Sequence, residues 1–143
     1  MTPLTQKPGY SGKSLATKLG VKPGQQLLAI DAPVNYAQMV APLPEGATIR
    51  LGTWGETTGS AGLIHAFFSN RKMLAAHLGE LIELPAPRGI LWIPWPKKSS
   101  PLFRDLTDQE VRALVLPTGW VDVKVAAVDV DWSGLKFLTR ISR

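Results

Sequence analysis

The stretch Gln26-Leu27-Leu28-Ala29-Ile30-Asp31-Ala32-Pro33-Val34-Asn35-Tyr36 decides the fold. Residues 26–30 form a short, almost wholly apolar run with no polar alternation, the pattern of a strand buried on both faces. Such strands belong to parallel sheets covered by helices on two sides. The run ends at Asp31-Ala32-Pro33. Three further runs repeat the pattern: Ala47-Thr48-Ile49-Arg50-Leu51, Leu63-Ile64-His65-Ala66-Phe67-Phe68 and Gly89-Ile90-Leu91-Trp92-Ile93-Pro94-Trp95. Pro94 has no N–H to give to a ladder, so the fourth strand is expected to stop pairing there.

Between the runs lie helical signals. Leu74, Leu78, Leu81 and Ile82 make a stripe of helical period, capped by Ser69 or Asn70 and stopped by Pro85 and Pro87. Thr107-x-x-Glu110 is a capping box with Leu106 and Val111 as its hydrophobic staple, so a helix runs from Asp108 to about Leu116 and ends at Pro117-Thr118-Gly119. Ser11 caps a short helix through Ser14, Leu15, Lys18 and Leu19 that Gly20 ends, and a weaker helix covers Asn35 to Val40. At the far end, Val121, Val123 and Val125 alternate with Asp122, Lys124 and Ala126. Leu135, Phe137, Thr139 and Ile141 alternate with Lys136, Leu138 and Arg140 across a polar turn, which reads as an antiparallel hairpin. The expected architecture is a three-layer, Rossmann-like α/β fold: a mostly parallel sheet closed by a C-terminal antiparallel hairpin.

A chain of 143 residues fits one domain, with 1–24 as an arm and short helix and 25–143 as the α/β core. A hydrophobic share of 45% against 19% charged excludes intrinsic disorder. The absence of cysteine excludes disulfides, thiolate metal sites and a cysteine nucleophile, and two histidines, His65 and His77, leave little for a histidine metal centre. No apolar run approaches the roughly 20 residues of a membrane span, and the start MTPLTQKPGYSGK lacks the apolar core of a signal peptide, so no membrane partner and a cytoplasmic location are expected.

Sixteen Lys and Arg against eleven Asp and Glu leave a net +5. Lys7, Lys13, Lys18 and Lys22 lie in residues 1–29, which hold no acid; Lys97-Lys98 sits between Arg88 and Arg104. A basic surface attracts phosphates, whether of nucleic acid or of a small anion, and scattered lysines also serve solubility alone.

Several motifs fall short of chemistry. Gly12-Lys13-Ser14 mimics the end of a phosphate-binding loop, but Lys7 stands where its first glycine belongs. The glycines of 52–62 do not follow dinucleotide spacing and read as loop. His65, inside an apolar strand, reads as a satisfied core imidazole, and His77 as bordering the helix packing face. Asp129 and Asp131 lack the third acid a cation site needs.

From 63 to 141 the order of strand, helix, strand, helix and closing hairpin resembles the C-terminal half of class I, Rossmann-like methyltransferases. Ala86-Pro87-Arg88-Gly89-Ile90-Leu91-Trp92 is similar to their fifth strand and Gly119-Trp120-Val121-Asp122-Val123-Lys124-Val125 to their penultimate one. The whole chain also resembles a bacterial family of short uncharacterised proteins, a domain of unknown function. The matching segments are Gly9-Tyr10-Ser11-Gly12 with Lys18-Leu19-Gly20, Trp95-Pro96-Lys97-Lys98, Val121-Asp122-Val123-Lys124 and Trp132-Ser133-Gly134-Leu135-Lys136. The methyltransferase resemblance implies a glycine-rich turn after the first strand for S-adenosylmethionine and an acid at the end of the second for its ribose. This chain departs from both, with Asp31-Ala32-Pro33-Val34-Asn35-Tyr36 and Arg50-Leu51-Gly52. Ser69-Asn70-Arg71 also lacks the Pro-Pro-aromatic motif of amino-methylating members. No cofactor is therefore expected.

Ligands of open α/β sheets sit beyond the carboxyl ends of the strands. There Trp95 would stack on a planar anion, Lys97 and Lys98 would neutralise it beside Ser99, and Asp31 and Asn35 would add polar contacts. The expected function is a non-catalytic binding or interaction protein on a reduced methyltransferase-like frame, its partner a small anionic ligand or a protein. The alternatives are an enzyme or sensor of a nucleotide-like metabolite, or a nucleic-acid binder.

Overall fold

The apolar runs do form the parallel strands. The computed structural model describes residues 14–55 and 61–139. The elements are α1 (Leu15–Leu19), β1 (Gln26–Ile30), α2 (Tyr36–Val40), β2 (Thr48–Gly52), β3 (Ala61–Ala66), α3 (Arg71–Glu83), β4 (Pro85–Pro96), α4 (Asp108–Val115), a 3-10 turn (Leu116–Thr118), β5 (Trp120–Ala127) and β6 (Trp132–Thr139). They make one six-stranded sheet in the order β2-β1-β3-β4-β6-β5. The first four strands are parallel to one another, and β6 runs antiparallel to both β4 and β5. The strand order reverses between β1 and β3, the switch point of a doubly wound sheet. The familiar doubly wound order carries a further strand outside the second one; here β2 is itself the edge.

Local chemistry sets the helix ends. Asn70 accepts the Met73 N–H at 2.8 Å to start α3, and Thr107 accepts the Glu110 N–H at 3.4 Å to start α4. Leu106 and Val111 are both buried, as a staple requires. The second half of the capping box is diverted: the Glu110 carboxylate takes the Arg71 Nε–H at 2.7 Å and ties α4 to α3. The expected cap Ser11 lies outside the described residues, and Ser14 caps α1 instead, accepting the Thr17 N–H at 3.2 Å. Gly20 ends that helix in the left-handed region at φ 85°.

Two strand expectations need correction. β4 does not stop at Pro94: that residue pairs with Gly134, and its carbonyl accepts the Phe68 N–H at 3.2 Å. Proline removes a donor and leaves the acceptor, so the ladder carries on through its oxygen. In the hairpin, the alternation of β5 is not continuous. Asp122 pairs with Phe137 and Lys124 with the very next residue of β6, Lys136, so one extra residue is accommodated on β5. Asp122 and Lys124 consequently point to opposite faces.

The two faces are covered unequally. Under α3 and α4 lie Leu28, Ile30, Ile64, Leu91, Ile93 and Phe137 with Leu74, Leu81, Val111 and Val115. Under α1 and α2 lie Leu27, Ala29, Leu63, Phe67 and Trp92 with Leu15, Leu19, Tyr36 and Val40. Trp92 is fully buried there, its indole N–H given to the Leu19 carbonyl at 3.1 Å. Among the described residues no helix is long and apolar enough to cross a membrane.

Candidate ligand-binding site

Asp31 takes the chain out of β1 in the left-handed region, at φ 54°, its N–H held by the Gly52 carbonyl at 3.1 Å. Aspartate is one of the few residues with a side chain that tolerates this conformation. The turn swings Ala32, Pro33 and Val34 outward before α2 begins. Because α2 has only five residues, it leaves the ends of β1 and β2 partly bare. A cavity of about 670 Å³ opens there, lined by Ala29, Pro33, Val34, Tyr36, Ile49 and Leu51, with Asp31, Gly52 and Thr53 at its polar end. Val34 is fully exposed and Leu51 largely so, which makes the rim as apolar as the floor.

Tyr36 joins this cavity to the core. Its hydroxyl lies 2.7 Å from Nδ1 of His65, both side chains being buried. The imidazole packs against Phe67 at 4.6 Å between ring centroids, and its Nε2 has no hydrogen-bond partner among the described residues. Burial lowers the His65 pKa to about 3 and raises that of the Tyr36 phenol above its ordinary value. Both groups are neutral at pH 7. The imidazole is only half satisfied, and the pair fixes the Tyr36 ring as a rigid wall of the cavity.

A second, more polar cavity of about 310 Å³ lies on the other side of α2, lined by Ser14, Leu15, Asn35, Gln38, Met39, Ala41 and Asp129. Asp31 and Asn35, expected to serve one ligand, therefore line different cavities.

The loop after β4 is fastened rather than open. The Lys97 N–H donates to the Asp131 carbonyl at 2.8 Å. Ser100, at the end of that loop, is buried; its hydroxyl donates to the Asp131 carboxylate at 2.8 Å and accepts the Leu102 N–H at 3.0 Å. Asp129 accepts the N–H groups of Asp131 and Trp132 at 2.8 and 2.9 Å. Lys98 and Ser99 remain exposed and Lys97 half-buried. Trp95 does not present a stacking face: it is 7% exposed, packed in the core beneath α3 and α4. An even count along β4 from Leu91 puts Ile93 and Trp95 on that side, a periodicity the sequence itself contained. The aromatic residue of the neighbouring turn is Trp132, half-buried and edge-on to Phe67 at 5.0 Å.

The start of the glycine-rich segment is anchored too. Trp54 stacks between Phe68 at 5.3 Å and His77 at 4.9 Å, and Glu80 accepts the Gly55 N–H at 3.2 Å. His77 thus borders the packing face of α3 as a stacking partner. No group of three metal-ligating side chains occurs among the described residues.

Sheet order, the switch point and the closing antiparallel hairpin define a Rossmann-like α/β fold, a fold that solved class I S-adenosylmethionine-dependent methyltransferases share. Solved structures agree. The chain is similar to a SAM-dependent methyltransferase from Aquifex aeolicus, with a TM-score of 0.59 and 15% identity over 85% of this chain and 86% of that one. It is similar to the N-methyltransferase NodS from Bradyrhizobium japonicum WM9, with a TM-score of 0.57 and 11% identity over 89% and 91%. It is likewise similar to magnesium protoporphyrin IX methyltransferase from Synechocystis PCC 6803 with bound SAM, with a TM-score of 0.57 and 10% identity over 87% and 74%. No family model matches the sequence, and no curated protein does.

Proposed function

We propose that the chain is a non-catalytic binding protein on the methyltransferase-like frame, taking an apolar or aromatic ligand in the cavity between α2 and the ends of β1 and β2. The observation that carries the reading is the lining of that cavity. Its walls are Ala29, Pro33, Val34, Ile49 and Leu51, and Tyr36 is held in place by His65. A pre-formed apolar hollow with a few polar groups at one end is the usual form of a small-molecule site.

S-adenosylmethionine does not fit these residues. A coenzyme pressed against the first turn needs backbone free of side chains, and Asp31, Ala32 and Pro33 all carry a Cβ there. At the end of β2 stand Gly52 and Thr53 in place of a carboxylate that would hold a ribose. His65 is poorly placed to act as a base toward a bound substrate, since its Nδ1 is engaged by Tyr36 and burial disfavours the imidazolium that proton uptake would form.

Two titrations test the reading. Anilinonaphthalene sulfonate, which fluoresces in apolar sites, should bind the native chain at one site, and Leu51→Glu should abolish the signal while leaving circular dichroism unchanged. Calorimetry with S-adenosylmethionine should give no heat. Cofactor binding tighter than 100 μM that Leu51→Glu removes would overturn the proposal.

A further inference from the structure

A second surface, independent of the cavity, lies where α1 stops short of the hairpin. The β5 bulge turns Lys124 to the α1 side of the sheet, directly opposite Lys136 in the antiparallel register. Lys136 is in turn the register partner of Trp92, whose indole N–H is held by the carbonyl of Leu19, the residue after Lys18. One hydrogen bond and one ladder thus set Lys18 beside the lysine pair. Lys97 follows Pro96, the partner of Trp132 at the start of β6.

Like charges placed directly opposite one another in a hairpin are unfavourable, and no ion pair among the described residues offsets them. Among the described residues neither Lys97, Lys124 nor Lys136 pairs with a carboxylate. The neighbouring acids are engaged: Asp131 by Ser100, Asp129 by the N–H groups of its own turn, and Asp122 by Arg112 on the other face. Partial burial and then the charges of Lys97 and Lys124 lower the Lys18 pKa, and partial burial and then Lys124 lower that of Lys136. A ligand that brings negative charge relieves all of these at once.

We propose that the face formed by Lys18, Lys97, Lys124 and Lys136 docks the sugar–phosphate backbone of a nucleic acid. Spacing favours a polymer over a compact phosphate. Lys136 lies four residues along β6 from the partner of Pro96, so at ~3.3 Å per residue Lys97 and Lys136 are about 15 Å apart. A strip that long faces about three consecutive phosphates of one strand rather than a single phosphate group. Lysine is a point charge without the planar fork that reads base edges, and Trp92 and Trp132 are packed inward. The contact is to phosphate and is independent of sequence.

The test is fluorescence anisotropy of the full chain with a labelled 20-base-pair duplex of arbitrary sequence. Binding should fall with salt at a log–log slope of about −3, roughly sixtyfold between 50 and 200 mM. Lys124→Gln/Lys136→Gln should weaken binding at least tenfold with melting temperature unchanged or raised, whereas Lys72→Glu on α3 should change it less than twofold. A duplex affinity that ignores salt, or one that survives the double substitution, would overturn the proposal. So would displacement of the duplex by stoichiometric tripolyphosphate, which identifies a compact phosphate ligand. Binding to phosphatidylserine vesicles with none to the duplex would assign the surface to a membrane instead.

Discussion

The two faces of the sheet are built to different standards. One is roofed by α3 and α4, helices of thirteen and eight residues, and braced by side-chain links. Arg71 bridges to Glu110 at 2.7 Å, and Arg112 holds Asp108 at 2.7 Å and Asp122 at 2.8 Å. The other is roofed by α1 and α2, of five residues each. Helices that short are not stable on their own; packing against Trp92, Phe67 and the strands holds them. The lightly covered face is where both cavities, the half-satisfied histidine and the facing Lys124–Lys136 pair are found. Incomplete cover leaves room for ligands, and the well-braced face supplies the stability that allows it.

If that contrast is right, the light face should depend on a few buried contacts. Trp92→Ala removes the largest fully buried side chain together with its hydrogen bond to Leu19 and should cost about 3–5 kcal/mol. Urea unfolding measures this, and a loss below 1 kcal/mol would mean that α1 is held by something else. Tyr36→Phe strips His65 of its one partner and should cost about 1–3 kcal/mol. The double variant Tyr36→Phe/His65→Leu, with no polar atom left to satisfy, should recover part of that loss.

The histidine also gives the light face a pH dependence. The folded-state pKa of His65 is lowered to about 3 by burial, against about 6.5 in the unfolded chain. Between those values the unfolded state binds more protons, so its contribution is complete above pH 6.5 and is lost as pH falls toward 3. Unfolding free energy should drop by about 2 kcal/mol from pH 7 to pH 5, and His65→Leu should flatten the profile. On the braced face, Asn70→Ala removes the N-cap of α3 and should cost only about 1 kcal/mol. A larger loss would show α3 to be as precarious as its partners across the sheet.

Much of the frame was legible because strands buried on two faces and capped helices write local signals. Leu27 to Ile30 announced a central strand, and Asn70 and Thr107 cap the two long helices. What stayed hidden depends on contacts between distant segments. The departure of Glu110 from its capping box is decided by Arg71, and the fastening of residues 97–100 by Asp131. The site was less legible than the fold. Asp31 does line the larger cavity, but the loop motif around Trp95 points outward while its parity with Leu91 and Ile93 puts it inside. The apolar character of the cavity comes from Ile49 and Leu51 lacking a covering strand, which only the sheet order reveals.

The extra residue in β5 has a reach beyond its own strand. By offsetting the side-chain parity once, it chooses which flank of the molecule carries the Lys124 ammonium group while leaving every backbone partner of β6 in place. Chains sharing this scaffold but lacking that one-residue offset would bear their charge on the opposite flank. An ungapped alignment of two such chains would match residues that never see the same surroundings.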